Sequence, residues 1–169
     1  MENKVLIVVD MQNDFIDGAL GTKEAQAIIP NVKKKIEEYK ARGDRIIFTR
    51  DTHYDNYLNT NEGKHLPIKH CTQNTHGWQI ANELEIANCE HIDKPTFGYT
   101  EWASYNFDGE IELIGLVLNI CVISNAIILK ALYPESTITV NLSCTAATSD
   151  DDFNAAIRVL HSCQINTCH

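Results

Sequence analysis

Three side chains stand where the sequence could support chemistry on an amide: Asp10, Lys94 and Cys121. Cys121 follows the apolar segment 115–120 at an expected helix start, where the helix dipole and a nearby lysine would stabilise a thiolate. Asp10 ends the apolar run 5–9, and beside a thiol it could act as general base and then as general acid. Lys94 would keep both partners ionised by its opposite charge. These residue types predict a cysteine hydrolase.

Each of the three residues could also have a role that is not catalytic. Cys121 could be a buried structural cysteine, Asp10 a solvated acid in a loop, and Lys94 a surface lysine. The catalytic reading depends on their acting together, and their positions at segment ends favour it.

A second group of polar side chains follows the next apolar run. Asp51 and His53 are two residues apart on an extended segment, so their side chains face the same way. His70 would complete a mixed nitrogen and oxygen site of the kind that binds zinc, iron or manganese. The alternative is a polar loop, over 51–69, whose histidines are solvated.

The elements that must position these residues follow from hydrophobic spacing. Runs rich in Val and Ile that do not alternate predict parallel strands buried on both faces, at 5–9, 45–49, 111–117 and 137–141, with a shorter strand at 91–94. Helical spacing predicts helices between the strands, at 24–42 (stopped by Gly43), 122–133 and 150–162. Only residues 164–167 could form a closing strand.

This alternation predicts an α/β fold: a doubly wound, mainly parallel sheet with helices on both faces, in one domain over residues 1–169. In such a sheet the binding crevice lies beyond the carboxyl ends of the strands. Asp10, Asp51, Lys94 and Cys121 are therefore expected to converge on one edge.

Composition excludes several classes of partner. The net charge of −9 and the pI near 5.1 argue against nucleic acid, whose binding requires a clustered basic surface. Only five apolar residues separate Lys4 from Asp10, too few for a signal peptide or a membrane span. We therefore expect a cytoplasmic protein whose six cysteines are reduced thiols.

Five segments, in this order, carry a resemblance: VVDMQNDF, RDTH, HC at 70 and 71, KPTFGY and GLVLNICV. Together they resemble the isochorismatase-like cysteine hydrolases, and nicotinamidases in particular, over most of the chain. The resemblance implies a Rossmann-like three-layer fold and a catalytic triad of Asp10, Lys94 and Cys121. It also implies an oxyanion hole from the backbone amides of Val117 and Cys121, preceded by a cis peptide bond at Leu116–Val117.

The same resemblance implies a divalent metal, with zinc as the first candidate and iron or manganese as alternatives. Its ligands would be Asp51, His53 and His70, with Glu62 where some members supply a further carboxylate. Asn59 stands near the place of a second loop histidine in other members. The metal would bind the pyridine nitrogen of nicotinamide, while the thiol would release ammonia and form a thioester.

The walls of the substrate site are less well defined by the resemblance. Phe15 matches an aromatic residue that lines the nicotinamide ring, and core packing is the alternative. The tryptophan expected before the His-Cys pair is replaced by Leu66 and Pro67. Tyr99 or Trp102 is the candidate for the missing wall, and either could instead pack the domain.

Three functions remain open at this point. The first is hydrolysis of a small carboxamide, most readily nicotinamide. The second is a related amidase that acts on an N-carbamoyl or ureido compound without a metal, and the third is a non-catalytic metal-binding member of the fold. The expected partner is a small-molecule amide, and a homo-oligomer is allowed because family members are often oligomeric. Cys121 argues against the vinyl ether chemistry of true isochorismatases, which lack this nucleophile.

Overall fold

The computed structural model describes residues 4–169, and these contain a six-stranded sheet in which every strand pair is parallel. The strands lie in the order β3-β2-β1-β4-β5-β6. They are β1 (Lys4–Val9), β2 (Arg45–Asp51), β3 (Glu90–Lys94), β4 (Glu110–Leu116), β5 (Thr137–Ala146) and β6 (Asn166–Cys168). The strand order reverses between β1 and β4, and such switch points form the binding crevice of open α/β sheets.

Helices cover both faces of this sheet. They are α1 (Asn13–Ile16), α2 (Lys23–Ala27), α3 (Ile29–Arg42), α4 (Asn61–His65), α5 (Ile123–Leu132) and α6 (Asp150–Ser162), with 3₁₀ turns at Tyr57–Asn59 and Thr100–Ser104 and a π-helical turn at Leu118–Val122. One hydrophobic core includes side chains of α3, and the other includes side chains of α5 and α6. The predicted doubly wound α/β architecture is therefore confirmed.

The central strand explains why continuous apolar runs predicted this sheet. Val5, Ile7 and Val9 belong to one core, while Leu6 and Val8 belong to the other. Successive side chains of a strand point to opposite faces, so a strand covered on both faces needs apolar residues at every position.

The helix predicted over 24–42 is wrong as a single element. The structure divides it into α2 and α3 at Ile28. Pro30 lies in the first turn of α3, and a proline has no N–H to continue a preceding helix. Gly43 ends α3 as predicted, in the left-handed conformation with φ 73°.

The end of β5 is the other main difference. The predicted strand 137–141 continues to Ala146, with an irregular register opposite Leu113 and Gly115. Asn141 ended the apolar run in the sequence, yet it is buried inside the strand. Its Nδ2 donates to Glu112 Oε1 at 3.0 Å, which offsets part of the cost of burying the amide. β6 closes the sheet beside β5.

Between residues 4 and 169, no helix is both long and apolar enough to cross a membrane.

Candidate active site

Asp10 and Lys94 form an ion pair across the carboxyl edge of the sheet. Lys94 ends β3, while Asp10 follows β1, so the lysine side chain must pass over the intervening β2, a span of about 10 Å between strand axes. Its Nζ lies 2.6 Å from Asp10 Oδ2, and both side chains are fully buried. The other oxygen of Asp10 accepts a 2.6 Å hydrogen bond from Thr49 Oγ1. Both predicted residues therefore lie at one point of the edge.

Cys121 lies beside this pair in the π-helical turn between β4 and α5. It is buried close enough to both side chains for Lys94 to lower and Asp10 to raise the pKa of its thiol. The preceding Leu116–Val117 peptide bond is cis, as the resemblance implied. The structure thus brings all three predicted catalytic residues together at the switch point between β1 and β4.

The pKa values of Asp10, Lys94 and Cys121 depend on one another because all three side chains are buried. Burial alone would lower the pKa of Lys94, but Asp10, Cys121 and Asp51 raise it, so the lysine stays protonated. Burial raises the pKa of the Asp10 carboxyl, with Lys94 acting in the opposite direction.

Burial also raises the pKa of the Cys121 thiol well above its usual range, against the effect of Lys94. Burial therefore opposes the thiolate that a position at a helix start was expected to favour, while Lys94 supports it.

A second polar group lies next to the first. Its members are Asp51, His53, Glu62 and His70, whose ligand atoms all lie within 4.8 Å of one another. His53 Nε2 lies 2.8 Å from Asp51 Oδ2 and 3.5 Å from Glu62 Oε1. His70 Nε2 lies 3.5 Å from the same Asp51 oxygen. All four residues that the sequence and the resemblance suggested as metal ligands are therefore placed together.

These four residues fit a divalent cation. A tetrahedral ion with bonds of about 2.0–2.1 Å separates its ligand atoms by about 3.4 Å, close to the two longer separations here. The ring Nδ1 of His70 lies 2.8 Å from the Ile68 carbonyl, which directs Nε2 towards the group. Within residues 4–169, Asp51 Oδ1 has no hydrogen-bond partner although it is buried. Two carboxylates facing two imidazoles leave a negative charge that a cation would balance.

The ionisation of these ligands suits the same role. Burial alone would raise the pKa of Asp51, but hydrogen bonds from His53 and His70 and the charge of Lys94 lower it below its usual range. Asp51 is therefore anionic throughout the physiological pH range, as a metal ligand needs to be.

Sequence reasoning missed the residue that holds Asp51 in place. The Gln12 side chain accepts from the Asp51 N–H at 2.7 Å and donates to the Asp51 carbonyl at 2.8 Å. It donates also to the Trp78 carbonyl at 2.8 Å, and it is fully buried. Its only signal in the sequence was its place two residues after Asp10, a polar residue in an apolar neighbourhood.

A cavity of about 290 Å³ connects the two groups. Its lining includes Cys121 and Val117 together with Asp51, Glu62 and His70. Most of the remaining lining is apolar: Phe15, Leu20, Leu66, Phe97, Ile120 and Ala147, with Thr22 and Thr148. The nucleophile and the candidate metal ligands therefore open onto one space.

Of the three aromatic residues predicted to line the substrate site, one lies in the cavity lining and two do not. Phe15 lines the cavity as the resemblance implied, and Leu66 lies where a tryptophan was expected. Of the lining residues that the structure describes, none is Tyr99 or Trp102, and Trp102 is fully buried in a hydrophobic core. Phe97, which lies with Tyr99 in the KPTFGY segment, lines the cavity instead, and 44% of its surface is exposed.

Comparison with known proteins gives one family. The model of the Isochorismatase domain family matches residues 4–168. Nicotinamidase of Saccharomyces cerevisiae is 28% identical over 197 residues, which covers 88% of this chain and 90% of the yeast protein. The crystal structure of Pyrococcus horikoshii pyrazinamidase in complex with zinc is 28% identical, with a TM-score of 0.85 over 99% of both chains. N-carbamoylsarcosine amidase from Thermoplasma acidophilum is 24% identical, with a TM-score of 0.81 over 100% of this chain and 96% of that one.

Proposed function

This chain belongs to the isochorismatase family, and we propose that it hydrolyses the carbon–nitrogen bond of a small neutral carboxamide, with nicotinamide as the best candidate. The observation that carries the proposal is the single apolar cavity that Cys121 shares with Asp51, Glu62 and His70. A flat aromatic amide could present its carboxamide to the thiol while its ring occupies the space towards the ligand group.

The lining of the cavity favours an uncharged substrate. Among its described lining residues there is no lysine or arginine, and the ionisable ones include Asp51 and Glu62. An N-carbamoyl amino acid carries a carboxylate, whose burial without a cationic side chain is costly. A carboxamide on a pyridine ring meets no such penalty, so it is favoured over the carbamoyl class.

The first half of the reaction uses Asp10 and Cys121. As the Cys121 sulfur attacks the carbonyl carbon, its proton passes to the Asp10 carboxylate, which Lys94 keeps anionic until then. The backbone amides of Val117 and Cys121 are proposed to stabilise the oxyanion of the tetrahedral intermediate. Asp10 then donates the proton to the amide nitrogen, the carbon–nitrogen bond breaks, and ammonia leaves a thioester on Cys121.

The second half reverses these roles. Asp10 accepts a proton from a water molecule, whose oxygen attacks the thioester carbonyl. The carbon–sulfur bond breaks, nicotinic acid is released, and the proton returns to the sulfur of Cys121. Water is consumed once, and the site regains its starting protonation.

Asp51, His53, Glu62 and His70 would hold a divalent metal, with zinc as the first candidate. When bound, the metal would supply a Lewis-acidic contact for the pyridine nitrogen and so orient the ring. Asp51, Glu62 and His70 line the same cavity as Cys121, which supports this orienting role.

Release of ammonia from nicotinamide by the purified protein is the direct test. We expect turnover that is lost in Cys121→Ala and reduced by a chelator, while Cys163→Ala, a half-buried thiol outside the cavity lining, keeps it. Release from N-carbamoylsarcosine but not from nicotinamide would move the assignment to the carbamoyl class. Absence of turnover on both, with Cys121 unreactive to alkylation, would favour a non-catalytic protein.

A further inference from the structure

Asn125 lies one helical turn after Cys121 and uses every hydrogen-bonding position of its side chain. Its Nδ2 donates to the Cys121 carbonyl at 2.8 Å and to the Phe97 carbonyl at 3.2 Å. Its Oδ1 accepts from the Tyr99 N–H at 2.9 Å and from Trp102 Nε1 at 2.8 Å. An amide side chain has two donors and one oxygen with two lone pairs, so this one is saturated. Asn125 is also fully buried.

One end of this network supports the turn that carries the nucleophile. Cys121 lies in the π-helical turn, where the Val122 N–H bonds to the Val117 carbonyl five residues back. Turns of this kind interrupt the regular α-helical ladder and are frequent at functional sites. The Asn125 side chain binds the Cys121 carbonyl just where the π-helical turn passes into α5, and so it fixes the orientation of that turn.

The other end holds the segment of Phe97, which also lines the cavity. Asn125 binds both the carbonyl of Phe97 and the N–H of Tyr99, so the backbone around the Phe97 side chain is held from two directions. Gly98 lies so close to α5 that an added Cβ would come within 2.5 Å of Ile128 Cδ1. The segment is therefore packed directly on the helix that follows Cys121.

We propose that Asn125 is a positioning residue that holds Cys121 and Phe97, two residues of the cavity lining, at a fixed separation. Asn125 is outside the cavity lining, so it acts through these two residues and not on the substrate. The inference rests on the proposed function in one respect, that Cys121 is the reacting thiol.

The test compares two buried asparagines. Asn125→Ala removes the network, while Asn141→Ala removes a side chain that is 4% exposed and bonded to Glu112, outside the cavity lining. The readouts are the rate of Cys121 alkylation by iodoacetamide, located by peptide mass, and kcat and KM for nicotinamide. In Asn125→Ala we expect alkylation and kcat to fall about 10-fold to 100-fold, with a smaller change in KM, as for a misplaced reacting group. In Asn141→Ala both rates should stay within about twofold of the native protein, even if its thermal midpoint falls.

Equal rates in the two variants would overturn the proposal and leave Asn125 a purely structural residue. Asn125→Asp provides a second variant if the alanine variant does not fold, because it retains the acceptor for Tyr99 and Trp102 and removes donors towards Cys121 and Phe97. It should slow the same two rates, and native rates would again count against the idea.

The alkylation readout separates this proposal from the substrate assignment. If the native protein does not cleave nicotinamide but Asn125→Ala still slows alkylation of Cys121, the substrate assignment fails and the positioning role stands. If nicotinamide is cleaved and both Asn125 variants alkylate and turn over normally, the positioning role fails alone.

Discussion

Two polar groups open onto the same cavity and differ in how complete the chain makes them. The proposed catalytic trio consists of Asp10 and Lys94 at strand ends and Cys121 in the turn after β4, and it contains its own ammonium group. The proposed ligand cluster, Asp51, His53, Glu62 and His70, extends into the loop after β2 and carries two carboxylates. The trio therefore includes its own permanent cation, whereas the cluster has two carboxylates and no permanent cation among its members, which suits a bound metal ion.

Lys94 is the link between the two groups. Its Nζ lies 2.6 Å from Asp10 and 3.7 Å from Asp51 Oδ1. The trio thus supplies the cation that keeps Asp51 anionic, while the cluster adds to the charge that keeps Lys94 protonated. Because the two groups differ in charge and share Lys94, substitutions in each group should affect stability, metal binding and catalysis to different extents.

Lys94→Met should have the largest effect, because it leaves Asp10 and Asp51 buried without their cation. Removal of one partner of a buried ion pair costs about 3–5 kcal/mol of unfolding free energy, and turnover should be lost. Urea unfolding measures the change. Lys35→Met is the control, since its 2.9 Å pair with Glu38 is partly exposed and should contribute less than about 1 kcal/mol. Similar losses in both variants would contradict the idea of a complete, buried trio.

Asp51→Asn should break the cluster and spare the trio. Changes to groups that only support metal ligands weaken binding by up to about 100-fold. Loss of a ligand itself should therefore weaken Zn²⁺ binding by at least about that factor. Calorimetric titration measures the affinity, and alkylation of Cys121 should change much less. Asp93→Asn, which removes a 2.7 Å surface pair with Arg50, should leave zinc binding unchanged. An unaltered affinity in Asp51→Asn would remove this residue from the ligand set.

Metal affinity should depend on pH through His70. Burial alone would lower the pKa of His70, but Asp51 and Glu62 raise it above its usual value. The metal-free site therefore holds a proton that a metal must displace, so affinity rises about tenfold per pH unit for each displaced proton. The rise should continue above about pH 6.5, the ordinary histidine value, and level off only beyond the His70 pKa. An affinity that is already constant at about pH 6.5 would contradict this sign.

Phe97→Leu should have the smallest effect of the four. Replacement of an aromatic contact costs about 0.5–1.5 kcal/mol, which corresponds to an increase in KM of about twofold to tenfold with less change in kcat. Phe153→Leu is the matched control, because Phe153 packs against a core outside the cavity lining. An unchanged KM would show that Phe97 does not contact the substrate.

The parts of this structure that were predictable come from local patterns. Asp10 directly follows the Val and Ile run 5–9, and Lys94 ends the short predicted strand 91–94, so both stand out in the sequence. Helix α6 has the predicted bounds, 150–162, since its apolar spacing is regular and Ser149 caps its first turn. The division at Pro30 was equally local, and the prediction failed because helical spacing was followed across a residue that interrupts helices.

The parts that were not predictable depend on long-range contacts. Gln12 meets Trp78 across 66 residues, and Asn125 meets Trp102 across 23. Apart from the position of Gln12 close to Asp10, nothing next to either amide in the sequence distinguishes it from a surface residue. Phe97 and Trp102 lie in one aromatic-rich segment, and only the tertiary packing decides which of them lines the cavity.

The sequence by itself determined the parallel sheet, the reactive residues at its carboxyl edge and the family to which they belong, because burial on both faces and reactive chemistry each demand particular residue types at particular spacings. Only the tertiary structure decided that Cys121 is buried beside Asp10 and Lys94, that Lys94 also faces Asp51, and that Phe97 lines the cavity. Those properties depend on distances between residues far apart in the chain, where burial strengthens each electrostatic interaction and no local pattern records it.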